Sequence, residues 1–480
     1  MNKTIKLLVI ALLLWNNGFA QHRIKTAKLI SDFDYAVKKN KEMHQGLYKY
    51  ESALVTDKKI EELRASIQEP MTKLEFYMLL RKLIALTNEG HTGIGLPKWT
   101  MIKVGLSKSF LPLSVKFCNK ELIVTQNYGK AIKNLNRGDK IITINGKSIS
   151  ELTAKLMPLI TSDGFNTSSK YEWIGGINFS LLYRLVYGKT KNYTIEVEKH
   201  KTKTIQKLVI PAIRFTKFKQ KNGKFTYKKT KNKAFEIKII NDSIAYLNVS
   251  SFSADLNYEP FYKEAFQKIK KANIKHLILD IQKNEGGTEG NENLLFSYLS
   301  DTVIQKYNAV TMLPKPYQIN KKDADYILDK WQLKNTIAQR GNYTLKSDYY
   351  STLGYKNPEK KLIYTGKLYV LISGLTFSGG AEMASLLKMT NRAIFIGEET
   401  GGAYQGNVSG YSETVKLPNT KITITIPTVN FQINVNPKIK GQGVLPDYIV
   451  PQTRKDYLNN ENSKLNFILN LLTTKQNYEN

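Results

Sequence analysis

The chain has 480 residues, 41% of them hydrophobic, with 72 Lys+Arg against 40 Asp+Glu and a formal net charge of +32. At roughly 100–200 residues per domain this length suits several domains, and the composition excludes wholesale disorder, a collagen-like chain and a polytopic membrane protein. The single cysteine, Cys118, excludes an intramolecular disulfide and a cysteine-based zinc site.

Residues 1–20 read as a signal peptide. Met1 to Lys6 is a basic start, Leu7 to Trp15 is an apolar run of nine residues, and Gly18-Phe19-Ala20 places small residues where a signal peptidase reads. The run is too short to span a bilayer, so the expectation is an exported, periplasmic or extracellular protein.

Residues 21–98 read as a helical segment. Ile60, Leu63 and Ile67 share one face behind an N-cap at Thr56 or Asp57. Thr72-Lys73-Leu74-Glu75 has the form of a capping box, followed by the apolar face Phe76, Leu79, Leu80, Leu83 and Ile84. This helix is expected to end at Gly90, with His91 directly after it.

Residues 99–205 change to a period of two, as in Leu113 to Phe117 and Leu122 to Val124. The stretch from Leu135 to Ile149, with Gly138-Asp139 before a strand and Asn145-Gly146 at a hairpin, resembles the signature of a PDZ domain. A helix with Leu152, Leu156 and Leu159 follows. In such a module an extended peptide adds along an exposed strand, here Phe110 to Val115, with Phe110, Leu111 and Leu113 as contacts.

Residues 206–234 read as a basic linker or hairpin, and from Lys199 to Lys233 there are thirteen Lys/Arg and no acid. Phe215, Phe218, Phe225 and Tyr227 interleave with that charge, but an exported protein rarely meets nucleic acid. A solvated loop, or weak adhesion to anionic envelope surfaces, is the expectation.

Residues 235–480 alternate strands with helices, which argues for a largely parallel sheet in an α/β fold. Strands are expected at Ser243 to Val249, His276 to Gln282, Lys367 to Ser373 and Ala393 to Ile396. Helices are expected at Pro260 to Lys271, Gly379 to Lys388 and Ser463 to Leu472.

Three loops at element edges carry chemistry: Gly90-His91-Thr92-Gly93, Asn284-Glu285-Gly286-Gly287, and Thr376-Phe377-Ser378-Gly379-Gly380-Ala381-Glu382. Ser378, between a strand and a helix, reads either as a nucleophile or as a plain helix cap. Gly379 leaves its amide open to a substrate oxygen. Gly286 and Gly287 read either as a tight turn or as oxyanion donors. His91 is one of four histidines in the mature chain, with His44, His200 and His276.

These loops, followed by Gly397-Glu398-Glu399-Thr400-Gly401-Gly402 and Gly443-Val444-Leu445-Pro446-Asp447, resemble in order the tail-specific (C-terminal processing) serine proteases. The resemblance implies a ClpP/crotonase-like catalytic core beside the helical segment and the PDZ-like module. It implies Ser378 as nucleophile and oxyanion donors at Gly379 and at Gly286 or Gly287. One branch of the family uses a lysine in a Thr-x-Gly-Lys pattern. This chain reads Thr400-Gly401-Gly402-Ala403, with no lysine or arginine between Arg392 and Lys416. The tricorn-like branch uses a histidine instead, and His91 is the matching position. For a third catalytic member Glu398, Glu399 and Tyr404 are open candidates, and Lys440 stands near where that branch carries a glutamate.

The reading is an exported serine endopeptidase that cleaves peptides or unfolded protein C-termini through an acyl-enzyme, without metal or organic cofactor. The alternative is a catalytically inactive peptide- or ligand-binding protein on the same fold, for which the missing lysine speaks.

Overall fold

The computed structural model describes residues 23–129, 134–218, 234–253, 255–288, 290–312, 336–339, 342–345, 359–436 and 440–479. The leader and most of the basic stretch, including the expected turn at Asn222-Gly223, lie outside the described residues.

The N-terminal helices span Thr26–Met43, Ala53–Ala65 and Lys73–Ala85. The capping box at Thr72 forms as expected: Glu75 N donates to Thr72 Oγ1 at 3.2 Å, and Thr72 N donates to Glu75 Oε2 at 2.7 Å. Two boundaries differ from expectation. The second helix is capped by Ser52, four residues before Thr56, so Thr56 lies buried inside it. The third helix ends at Leu86, and the chain reverses at Asn88 with φ 49° rather than at Gly90. Asparagine tolerates that left-handed backbone almost as glycine does, which is why glycine alone misplaced the stop.

These helices bury Phe33, Phe76, Leu80 and Ile84 against Leu417, Ile422, Ile424 and Ile426, more than 330 residues further along the chain. Full burial of each such side chain is worth about 1.5–3 kcal/mol. His44 closes the first helix. It accepts from Gly46 N at Nδ1 (3.1 Å) and sits 3.0 Å from Thr92 Oγ1 at Nε2, which makes it a neutral donor to Thr92. Burial holds its pKa down, at about 3. An unfolded histidine titrates near 6.5, so the unfolded chain takes up a proton first as pH falls. The His44 contribution is therefore complete above about pH 6.5 and declines toward about pH 3. Urea midpoints measured across that range are expected to fall with pH, and more shallowly in His44→Gln.

The next body is a sheet of Ile205–Pro211, Asn192–Glu198, Lys140–Ile144, Glu121–Asn127 and Leu113–Cys118, in that spatial order. The helices Ile149–Leu156, Ser168–Ile174 and Asn178–Tyr187 accompany it. Leu152, Leu156 and Leu159 are buried against Ile144 and Ile195, as their spacing predicts. Asn145 (φ 50°) and Gly146 (φ 77°) form the turn between Lys140–Ile144 and Lys147–Ser148, where both central residues need positive φ.

The C-terminal body has a six-stranded sheet in the order Phe235–Ile239, Ile244–Val249, His276–Asp280, Lys367–Ile372, Ala393–Gly397, Tyr448–Ile449. All neighbours are parallel except the first pair. This is the expected α/β architecture. Both faces are covered, one by the helices Tyr258–Lys271, Asn291–Leu299 and Gly379–Met389, the other by Ser463–Glu479 through Ile468 and Leu472.

A second sheet, absent from the sequence expectations, joins Tyr307–Met312, Thr423–Ile433 and Val408–Lys416 in antiparallel pairs. Gly93–Gly95 adds to the Thr423 end of this sheet, which carries the His91 loop to the C-terminal body.

Candidate active site

The strands His276–Asp280, Lys367–Ile372 and Ala393–Gly397 are neighbours, and their C-terminal ends release the Asn284–Gly287, Ser373–Ser378 and Thr400–Gly402 loops. Loops at that end of a parallel sheet are where ligands ordinarily meet the fold. Tight local bonding holds the three together. Thr376 Oγ1 donates to Ile281 O at 3.0 Å, Phe377 N donates to Asn284 O at 2.9 Å, and Gly402 N donates to Thr376 O at 3.2 Å.

Ser378 sits at φ 51°, ψ −129°, a region that a residue with a Cβ enters at a cost of about 1–3 kcal/mol. It stands at the cap position of the helix Gly379–Met389, yet its side chain makes no capping hydrogen bond. The helix-cap reading of Ser378 therefore does not describe this residue. The hydroxyl is turned out of the role that a cap serine performs, on a strained strand-to-helix turn.

Gly286 lies against it. A Cβ built on Gly286 (φ 93°) would come within 2.7 Å of both Ser378 Cβ and Gly379 N. The Gly286 amide already donates to Asn284 Oδ1 at 2.9 Å, whereas the Gly287 and Gly379 amides have no partner among the described residues. Of the two expected donors in this loop, Gly287 is the one left open. Gly286→Ala is expected to slow labelling of Ser378 by a fluorophosphonate by about 10² or more, because the added methyl would displace Ser378 or the Gly379 amide. A wild-type labelling rate would show that the glycine has no part in the site.

His91 reaches this site from the N-terminal segment. Its ring stacks on Phe377, with centroids 4.7 Å apart at 28°. Gly90 makes that approach possible, since a Cβ there would sit 2.7 Å from the Phe377 ring. His91 Nδ1 is 2.9 Å from Glu89 Oε1. That leaves Nε2 as the ring nitrogen without a hydrogen-bond partner among the described residues. Hydrogen bonds between a base and its nucleophile often tighten only in the substrate complex.

Glu89 is fully buried and also accepts from Val408 N at 2.7 Å. Asp163 packs beside it, accepting from Gly90 N at 2.8 Å and Ala403 N at 3.3 Å. The two carboxyl groups are hydrogen-bonded to each other, and two like charges cannot both persist in that space. Burial, then the Glu89 charge, pushes Asp163 well above the usual carboxylate range, so Asp163 carries the shared proton. Burial raises Glu89 too, opposed by its hydrogen bonds and by Lys49. Burial lowers the His91 pKa, partly offset by neighbouring carboxylate charge, and so favours the neutral imidazole.

Glu89 was missed in the sequence, although its place two residues before His91 is the signal that could have found it. The three open candidates lie elsewhere. Glu398 pairs with Lys464 at 3.0 Å, Glu399 accepts from Gly443 N at 2.8 Å, and the Tyr404 side chain packs against the central core. The family's lysine position is Ala403, as expected, and its amide binds Asp163. The buried Lys306, just before the strand Tyr307–Met312, is locked between Glu292 (2.6 Å) and Glu382 (2.7 Å) and is no free base.

The expected peptide contacts Phe110, Leu111 and Leu113 need correction. All three are fully buried. Phe110 already pairs with Ile213, and Val115 exchanges both backbone hydrogen bonds with Gly176. Strand addition along Phe110 to Val115 would have to displace those partners.

Glu89, His91 and Asp163 offer three ligand atoms within 4.8 Å of one another. Their donor set is already satisfied by the shared proton and by backbone amides, so it reads as a proton relay.

Residues 243–450 match the model of peptidase family S41. The expected resemblance to tail-specific, C-terminal processing serine proteases is borne out by this S41 match. Among solved structures, mature CPAF complexed with lactacystin is 15% identical over 90% of this chain and 95% of that one, with a TM-score of 0.62. Mature CPAF without it gives 14% identity, 90% and 94% coverage, and a TM-score of 0.59. The photosystem II D1 C-terminal processing protease aligns at 15% identity over 88% and 93%, with a TM-score of 0.39. The CPAF likenesses concern the fold alone, and they cover 90% of the chain. All of Ser378, Gly286, Gly287 and Gly379 fall within the S41 match, whereas Glu89, His91 and Asp163 precede it.

Proposed function

We propose that the chain is an exported serine endopeptidase that uses a Ser378–His91–Glu89 relay on peptide or unfolded protein substrates. The observation that carries this reading is the strained Ser378 with its uncapped hydroxyl, next to Phe377, on whose ring stacks a histidine held at Nδ1 by a buried glutamate. In the reaction His91 Nε2 takes the Ser378 proton as Oγ bonds to the scissile carbonyl carbon. The carbonyl oxygen, now negative, is held by the Gly379 and Gly287 amides at the positive end of the helix. Collapse breaks the C–N bond, and the amine leaves with the proton borne by His91. Water, deprotonated by His91, then attacks the acyl carbon, the C–Oγ bond breaks, and His91 returns the proton to Ser378 Oγ as the acid leaves. Glu89 holds the tautomer and stabilises the transient imidazolium, while Asp163, carrying the shared proton, keeps Glu89 in place. The oxyanion is stabilised by backbone donors, and no cofactor enters the scheme.

The PDZ-like pattern at Gly138-Asp139 and Asn145-Gly146 supports a substrate-holding role for the second body, at a surface other than the closed Phe110 to Val115 edge. The basic leader supports export. Among the described residues no helix is long and apolar enough to cross a membrane.

The test is labelling with a fluorophosphonate, with lactacystin as a second probe, followed by cleavage of a denatured protein and mapping of the cuts. Labelling at Ser378 with internal cuts is the expected result. A chain that is neither labelled nor able to cut any unfolded substrate would instead be a binding protein on this fold.

A further inference from the structure

The helix Lys98–Leu106 follows the strand Gly93–Gly95 and turns most of its apolar side chains outward. Of its residues only Val104 is buried, in a small cluster with Phe110 and Phe218. Trp99, Ile102 and Leu106, at i, i+3 and i+7, share the face away from Val104 and are 74%, 37% and 54% exposed. A single exposed leucine is ordinary. A tryptophan, an isoleucine and a leucine in one helical row form an apolar patch of the kind that a partner covers.

The charge around this row says which partner. Lys98 and Lys103 belong to the helix, Lys108 follows it, and all three are exposed. Arg214 is the cross-strand partner of Lys108. Lys217 lies in the turn Phe215–Phe218, where Phe215 packs on the helix at Gly105. Both of these cations are exposed as well. None of the five has an ion-pair partner among the described residues. The sequence has no Asp or Glu between Glu89 and Glu121, or between Glu198 and Glu236. The described chain stops at Phe218, inside the cluster that holds Val104, and the next fifteen residues carry seven more lysines.

Trp, Ile and Leu in a row, bordered by unpaired cations, are the composition of a helix that lies in a membrane interface. The indole and the aliphatic chains enter among the lipids while the cations meet anionic headgroups. A second copy of this chain fits the face less well, since in a two-fold pair the cations would face their own counterparts.

We propose that the face of Lys98–Leu106 formed by Trp99, Ile102 and Leu106 is a peripheral docking site for an anionic lipid surface, with Lys98, Lys103, Lys108, Arg214 and Lys217 at the headgroups. The two parts work together. So short an apolar row inserts too little to hold the protein, and cations without an anchor are screened by salt. Docking would keep the His91 loop, eight residues before Trp99, within about 30 Å of the surface by chain length alone. The proposal does not depend on the proteolytic reading.

The test mixes the mature chain, from Gln21, with phosphatidylcholine vesicles that contain or lack phosphatidylglycerol, and reads binding by co-sedimentation. Binding to the anionic vesicles is expected to be stronger by at least about tenfold and to weaken with salt. Trp99→Ser/Leu106→Ser removes the two most exposed anchors and keeps every cation. Lys98→Gln/Lys103→Gln/Lys108→Gln does the reverse. Each set is expected to weaken binding by at least about tenfold. Brominated lipids are expected to quench part of the wild-type tryptophan emission, and the conservative Trp99→Phe to abolish that part. Failure of the wild type to bind either vesicle overturns the proposal, as does bound protein whose tryptophan emission the brominated lipids leave unchanged. Wild-type affinity in the serine variant also overturns it and assigns adhesion to basic residues elsewhere. A dimer in sedimentation velocity that the serine variant abolishes, without vesicle binding by the wild type, assigns the face to a second copy and overturns the lipid site.

Discussion

Ser378→Ala is expected to lower peptide cleavage by about 10⁴–10⁶ and to abolish fluorophosphonate labelling, while leaving stability within about 0.5 kcal/mol of wild type. The stability half of this expectation is the more discriminating. A serine that caps a helix costs about 0.5–2 kcal/mol when its hydroxyl is removed. Ser378 makes no such bond, and alanine keeps the Cβ that makes φ 51° unfavourable, so neither stabilisation nor strain changes. Ser378→Gly separates the terms further. It removes the same hydroxyl and relieves the positive φ, so it is expected to be at least as stable as Ser378→Ala, despite the greater freedom glycine has when unfolded. Urea midpoints of the two variants, beside their labelling, check both statements. A loss of more than about 1 kcal/mol in Ser378→Ala would return the residue to the role of a cap.

The second large effect is expected at Glu89. Glu89→Gln preserves the shape but removes the carboxylate that accepts from His91 Nδ1–H. The amide can present its NH₂ group instead, which favours the wrong imidazole tautomer, and kcat is expected to fall by about 10²–10⁴. His91→Ala is expected to cost at least as much, whereas His276→Ala is a control far from the chemistry, its ring beside Tyr369. The pH profile adds a signed test. Because burial lowers the His91 pKa, the acid limb of kcat/KM is expected below the ordinary histidine value of about 6.5. Loss of the Glu89 charge removes a stabiliser of the imidazolium and should shift that limb lower still. An unchanged rate and profile in Glu89→Gln would remove Glu89 from the relay.

Much of the fold was legible because short-range signals carry it. The capping box at Thr72, the turn at Asn145-Gly146, and the alternation of apolar strands with helices from Ile244 to Gly397 are local patterns, and each forms within about a residue or two of its expected bounds. The position of Ser378 before a glycine-led helix was legible for the same reason. Its meaning was not. Cap and nucleophile share one sequence pattern, and only the backbone angle and the missing capping bond separate them.

What the tertiary structure alone decided are the partnerships between distant segments. Glu89 sits in the loop after the helix Lys73–Ala85, far in sequence from Val408, and is brought to it because Gly93–Gly95 adds to the Thr423–Ile433 strand. Asp163 lies between the two, and its role rests on sharing a proton with a carboxylate 74 positions earlier. Composition and periodicity report what each segment does on its own surface. They are silent on which charges end up buried together, and burial is what sets the protonation of Asp163 and His91. The serine and its glycine loops were therefore readable from the amino-acid order, while the cluster of Glu89, His91 and Asp163 beside them exists only once the chain has folded.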